Sequence, residues 1–262
     1  MQSTLLGIAI ALILALLTAL VGPFFVDWTS YRDTIEAEAG RMVGTPVVVS
    51  GPIGVRLLPT PSVHLSGVSL ALGAAQMSAR ALDVTLALGP LLRGETRVET
   101  LSVDAPQLRL GLDSRGRLPV ALPGPARDPE RVAIDELTVT DGRVILSDAA
   151  SGRTLALDKL TFSGDLRSLA GPLRGEGAFV SGGDLYGVRL SADGRDREGG
   201  ARIRLSLDPL DRPLTIETDG RLRLDGTTPR YDGSLTVTRA AGAALGEPQA
   251  AREPWRVPRR PV

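Results

Sequence analysis

Acid–base or nucleophilic chemistry in this 262-residue chain has one imidazole and no thiol to draw on. His64 is the single histidine, so a Ser-His-Asp relay would have to use it as the base. It stands between Val63 and Leu65 in an alternating run, which turns it to the same side as Ser62 and Ser66, the solvent side of a strand. No Gly-x-Ser-x-Gly elbow and no nearby partner pattern accompanies it. The carboxylates Asp83, Asp104, Asp135 and Glu136 fall in or beside strands at positions expected to be exposed, and surface charge accounts for them without a glycosidase-like pair. Ser181-Gly182-Gly183-Asp184 lacks the Lys-Ser/Thr of a phosphate loop and opens no helix. The absence of cysteine removes disulfides, thiolate catalysis and thiolate metal sites together. Acids and bases balance at 30 each, which leaves no electrostatic footprint for nucleic acid. The expectation is a protein without catalytic residues, bound metal or cofactor.

The element that would position the rest lies at the N-terminus. Residues 4–26 carry no charge, and the first ionisable side chain after them is Asp27. At about 1.5 Å per helical residue the stretch reaches roughly 34 Å, enough for a hydrocarbon layer of ~30 Å. Phe24, Phe25, Trp28 and Tyr31 crowd its far end in a chain of nine aromatics, the composition of an interfacial belt, with Pro23 marking the exit. The run is too long for a signal peptide and lacks a basic n-region, so an uncleaved anchor is expected. Residues 27–46 hold four acids against two arginines, a flank that does not argue for the cytoplasmic side, and the bulk is expected to face outward.

Beyond the anchor, Ser30 is a candidate N-cap, and Ile35, Ala39, Met42 and Val43 recur at helical spacing before Gly44 and Pro46. From Val47 the period becomes 2. Leu82, Val84, Leu86 and Leu88 alternate with Asp83, Thr85 and Ala87, and Leu108 and Leu110 flank Arg109. Asp141-Gly142, Ser151-Gly152, Ser163-Gly164, Asp193-Gly194, Asp219-Gly220, Asp225-Gly226 and Asp232-Gly233 have the chemistry of short turns between antiparallel strands. The fold class expected is mainly β: an N-terminal transmembrane helix, then an elongated antiparallel meander with few short helices. The organisation expected is an anchor and belt at 1–28, a first β segment at 29–121, a Pro-rich linker at 122–130, a second meander at 131–239 and a disordered tail at 240–262.

Pro23-Phe24-Phe25-Val26-Asp27 with Tyr31, Gly44-Thr45-Pro46, Gly51-Pro52-Ile53 and Pro59-Thr60-Pro61 resemble, in their order, motifs of the AsmA family of bacterial envelope proteins. The most specific block is LDVTLALGPLLRG at 82–94, with Ala105-Pro106-Gln107-Leu108-Arg109-Leu110 behind it. Ala71 stands where the family often has Asn, and no Trp follows Gly116-Arg117. The resemblance covers roughly residues 5–120 and implies a single-pass protein of the bacterial inner membrane with its bulk in the periplasm. It implies strands curled into an open, taco-like groove that binds or conducts phospholipid, supporting outer-membrane assembly or lipid homeostasis, with envelope proteins as possible partners. Leu82, Val84, Leu86, Leu88, Leu108 and Leu110 are the groove-lining residues on this reading.

A one-sided apolar sheet must bury that face against a helix, a second sheet or a ligand. On pattern alone a closed sandwich fits as well as a groove, and a structural scaffold without lipid is the alternative function. The chain also looks unfinished. After the last strand, at 234–238, no capping element is evident, and the sequence favours a truncated product or a module completed by another chain over a self-sufficient short protein.

Overall fold

A computed structural model describes residues 26–72, 75–93, 97–114, 133–168, 171–194, 200–223 and 230–239, with isolated positions between 6 and 22. Phe24, Phe25, the linker at 122–130 and the tail at 240–262 lie outside them, as does most of the expected anchor. Leu6, Ile10 and Leu14, among the described members of that stretch, are helical and exposed. Among the described residues no helix is long and apolar enough to cross a membrane.

Asp27 accepts the Thr29 amide on Oδ1 (3.0 Å) and the Ser30 hydroxyl on Oδ2 (3.3 Å), which caps a 3-10 turn at Trp28–Tyr31. Ser30 does not cap the helix proper: Arg32–Val43 grows directly out of the turn, with Tyr31 at its N-cap position and no side-chain cap bond. Gly44 ends that helix at φ 79, its N–H donating to the Gly40 carbonyl at 2.8 Å, a left-handed cap that glycine adopts without a Cβ penalty. Only Ile35 and Ala39 of the expected helical face pack inward, whereas Met42 and Val43 remain exposed.

Among the described residues thirteen strands follow in one sheet: β1 (Val47–Val49), β2 (Ile53–Arg56), β3 (Ser62–Leu72), β4 (Ala75–Leu86), β5 (Arg97–Asp104), β6 (Gln107–Leu112), β7 (Ala133–Asp148), β8 (Thr154–Leu166), β9 (Leu173–Ser181), β10 (Asp184–Ala192), β11 (Gly200–Pro209), β12 (Leu214–Arg223) and β13 (Arg230–Arg239). Strand accounts for 65% of the described residues. The spatial order is β1-β3-β4-β5-β7 and then sequential to β13, with β2 continuing β1 along β3, and β6 continuing β5 between β4 and β7.

Two features depart from a simple meander. Both β5 and β6 pair with β7 in parallel, from Arg97↔Ala133 to Leu112↔Asp148. A parallel neighbour cannot be reached by a tight turn, and residues 113–132 make the return connection. The Pro-rich stretch read as a domain linker lies outside the described residues, and the strands before and after it belong to one sheet.

The second departure concerns the Asp-Gly and Ser-Gly pairs. Ser151-Gly152 is a turn, but Asp141-Gly142, Ser163-Gly164, Asp219-Gly220 and Asp232-Gly233 lie inside β7, β8, β12 and β13, so the strands are fewer and longer than the turn chemistry predicts. Gly164 stands opposite Gly175 on β9, and Gly220 opposite Gly233. A Cβ at Gly175 would come within 2.3 Å of Phe162 Cζ, and one at Gly220 within 2.6 Å of Tyr231 Cζ. Glycine is required there because a ring from the neighbouring position lies over the backbone.

Asp141, at φ 54, belongs to a crease. Gly67 (φ 64) in β3, Ala105 (φ 45) between β5 and β6, Asp141 in β7 and Lys159 (φ 53) in β8 each interrupt the alternation, and pairing registers shift at β7–β8 and β8–β9. The interrupted backbone stays bonded: Ala105 N–H donates to Thr140 O at 2.8 Å, and Arg143 N–H to Pro106 O at 2.7 Å.

Candidate functional site

Alternation gives every strand one apolar side, and antiparallel register carries it from strand to strand, because residues directly opposite share a face. Val63 and Leu65 on β3 face Val84 and Leu82 on β4, which face Leu101 and Val103 on β5. Met77 faces Leu108, and Leu108 and Leu110 face Val144 and Leu146 on β7. The series continues through Leu157, Phe162, Val188, Leu205 and Ile216 to Leu235 and Val237 on β13.

Cover over this face is uneven. At its first end Val47, Val49, Ile53, Leu65 and Val68 form a buried cluster against which Trp28, Ile35 and Ala39 pack, so the helix Arg32–Val43 closes that end. Two polar contacts fix the helix: Val49 N–H donates to Glu36 Oε1 at 2.7 Å, and Arg32 Nη2 donates to Gly51 O at 3.1 Å. Further along, Ile134 and Phe179 are buried, but most aliphatic residues of β7 to β13 are half-buried, and Leu235 is 70% exposed. A facing sheet about 10 Å away would bury such side chains.

The groove-lining residues named from sequence divide accordingly. Leu82 packs against the buried cluster under the helix. Val84, Leu108 and Leu110 sit further along the same face. Leu86 is the last residue of β4, next to a register shift at Thr85/Leu86. Leu88 does not continue the alternation: the strand stops, buried Ala87 donates its N–H to Arg97 O at 2.9 Å, and Leu88 starts a short helix, Leu88–Leu92, where it is exposed. Gly89-Pro90 explains the break, since a ladder cannot continue through Pro90. Of the belt residues, Trp28 packs on the buried cluster and its ring centroid lies 6.0 Å from that of Tyr31, which is itself exposed.

The opposite face is charged and largely self-neutralised. Arg80 makes two hydrogen bonds to Asp104 (2.6 and 2.8 Å), Arg97 two to Asp135 (2.9 and 2.8 Å) and Arg202 two to Asp219 (both 2.7 Å), all between strands. These bonds hold Asp104 and Asp219 below the usual carboxylate range and push Arg80, Arg97 and Arg202 up. Asp148 is likewise held down by the Ser151 hydroxyl and the Ala150 amide. An open depression of about 630 Å³ on this face is lined by cross-strand rows in which Asp165, Glu176, Glu217 and Asp219 are interleaved with Arg174, Arg189 and Arg204, leaving little net field for a charged ligand.

Sequence reasoning missed one constellation here. Register places Asp83 directly opposite His64, with Asp83 Oδ1 2.6 Å from His64 Nδ1 and Ser66 Oγ 3.1 Å from Nε2. That is the order of contacts in a serine-hydrolase relay. The spacing His64-x-Ser66 was visible, but Asp83 joins it only through strand pairing. The side chains of His64 and Asp83 are 47% and 56% exposed, on an open strand face, where they act as a cross-strand polar pair.

Comparison with known proteins gives one positive result. A family model described as the AsmA family matches residues 2–182. No curated protein and no solved structure matches the chain.

Proposed function

The chain belongs to the AsmA family, and from that premise we propose that it is an envelope protein whose apolar sheet face binds or conducts phospholipid acyl chains. On this reading residues 4–26 hold it in the inner membrane, the bulk lies in the periplasm, and the sheet forms an open groove closed at its first end by the helix Arg32–Val43. The observation that carries the proposal is the uneven cover of the apolar face. One sheet presents a continuous aliphatic surface, and among the described residues only the helix and the turn before it pack over it. Aliphatic surface left half-exposed is costly, at about 25 cal/mol for each Å² kept in water, and acyl chains would remove that cost without asking for a hydrogen bond. The exposed helical residues near the N-terminus, such as Leu6 and Leu14, support a membrane anchor in the same way.

The protein has no catalytic role on this reading, and the Asp83–His64–Ser66 array is part of the polar surface. The experiment is to purify the full chain in mild detergent and extract bound lipid for mass spectrometry, beside a variant carrying Leu137→Glu and Val144→Glu in the middle of the face. Phospholipid at stoichiometric level in the first and a clear loss in the second supports the groove. Lipid absent from both, with the chain folded, supports the scaffold reading.

A further inference from the structure

The sheet ends differently at its two edges. At β1 the outer edge is blocked: Glu36 takes the Val49 N–H and the helix Arg32–Val43 packs alongside. At β13 no strand pairs with the far edge among the described residues, and Tyr231, Leu235 and Val237 are 48%, 70% and 59% exposed. Such an edge is a template for another strand.

We propose that β13 pairs with β13 of a second copy, antiparallel and about a two-fold axis centred on Leu235. Three observations select this occupant. Head-to-tail pairing of copies would need the edge that Glu36 and the helix close, so self-association through strands is left with like edges, which generate a closed pair rather than a filament. The residues that follow β13 suit the edge poorly: 240–246 read Ala-Ala-Gly-Ala-Ala-Leu-Gly, and Pro248, Pro254, Pro258 and Pro261 cannot donate to a ladder. The strand is also self-complementary. With Leu235 opposite its own copy, Gly233 meets Val237 and Tyr231 meets Arg239 on the apolar side, while Ser234 meets Thr236 and Asp232 meets Thr238 on the polar side, and no like charges are opposed. Antiparallel pairing keeps both apolar faces on one side and makes them continuous. It also sets the two Trp28–Tyr31 turns at opposite ends, so a pair held by both N-terminal segments would lie along the membrane.

This inference does not depend on lipid binding. The chain contains no cysteine, so single-cysteine variants of the full chain in detergent report one position each. The two-fold axis brings the Leu235→Cys positions to within disulfide reach, whereas Val237→Cys copies are four residues out of register, ~13 Å apart, and should cross-link roughly tenfold more slowly. Val48→Cys, on the blocked edge, should give no dimer. Sedimentation should show wild-type dimer, and Leu235→Lys, which sets two ammonium groups face to face, should be monomer with unchanged circular dichroism. A monomeric wild type at tens of micromolar, equal cross-linking at all three positions, or a Leu235→Lys dimer would each overturn the proposal.

Discussion

Replacing Gly175 with alanine tests the packing that bends β8 and β9 around an aromatic ring. The added methyl would stand 2.3 Å from Phe162 Cζ and 2.6 Å from the Ser163 carbonyl oxygen. Ordinary carbon contacts lie near 3.5–4.0 Å, so the ring would have to withdraw by more than an ångström. Forced overpacking of this kind costs about 1–3 kcal/mol. Phe162→Ala alone should cost about 2 kcal/mol, below the ~3–5 of a fully buried phenylalanine, because the ring is only half covered. The informative quantity is the coupling: in the Phe162→Ala background the ring clash is gone, and Gly175→Ala should cost about 1 kcal/mol less than in the wild type. Urea unfolding of the full chain in mild detergent, followed by far-ultraviolet circular dichroism for all four proteins, supplies the cycle. Additivity within about 0.3 kcal/mol would mean the ring does not lie on Gly175, and the account of the mid-strand glycines would be wrong.

Val84→Asp would put a carboxylate between Val63 and Leu101, and should destabilise by about 1–3 kcal/mol, while Asp83→Asn, on the polar face, should stay within ~0.5 kcal/mol; equal effects would invalidate the facing assignment. Asp104, Asp148 and Asp219 have folded pKa values below the unfolded one, so their contribution is fully present above the unfolded value of 3.8 and is lost as pH falls through the folded values. Thermal stability should therefore be level from pH 7 to 5 as far as these groups are concerned and decline below about pH 4, with a shallower decline in Asp219→Asn; an acid limb unchanged in that variant counts against the Arg202 pair. A fluorophosphonate probe should not label Ser66, and labelling abolished by both His64→Ala and Ser66→Ala would make the surface array a working relay.

Period-2 alternation at Leu82 and Val84 is a local property, and the sequence shows it directly. What alternation cannot reveal is how far a strand runs, because glycine serves both a turn, where φ is positive, and a close approach inside a ladder. Asp219-Gly220 and Asp232-Gly233 have the composition of two hairpins and are instead mid-strand residues lying under Tyr231. The Asp83–His64 contact and the parallel junction at β7 depend on which residues meet across strands, and no window of sequence contains both partners. Leu88 was misplaced for a local reason that was available, the Gly89-Pro90 step.

The parallel junction also governs the order in which this sheet can be assembled. From β7 onward each strand pairs with the next, so every hairpin can close over a short loop as soon as its second strand has been synthesised. The long split strand formed by β5 and β6 must instead wait, its outer edge unpaired, until residues 113–132 and the whole of β7 have emerged. During synthesis that waiting edge is the part of the chain most open to wrong partners, so destabilising changes in β7 should lower yield more than equal changes in β12.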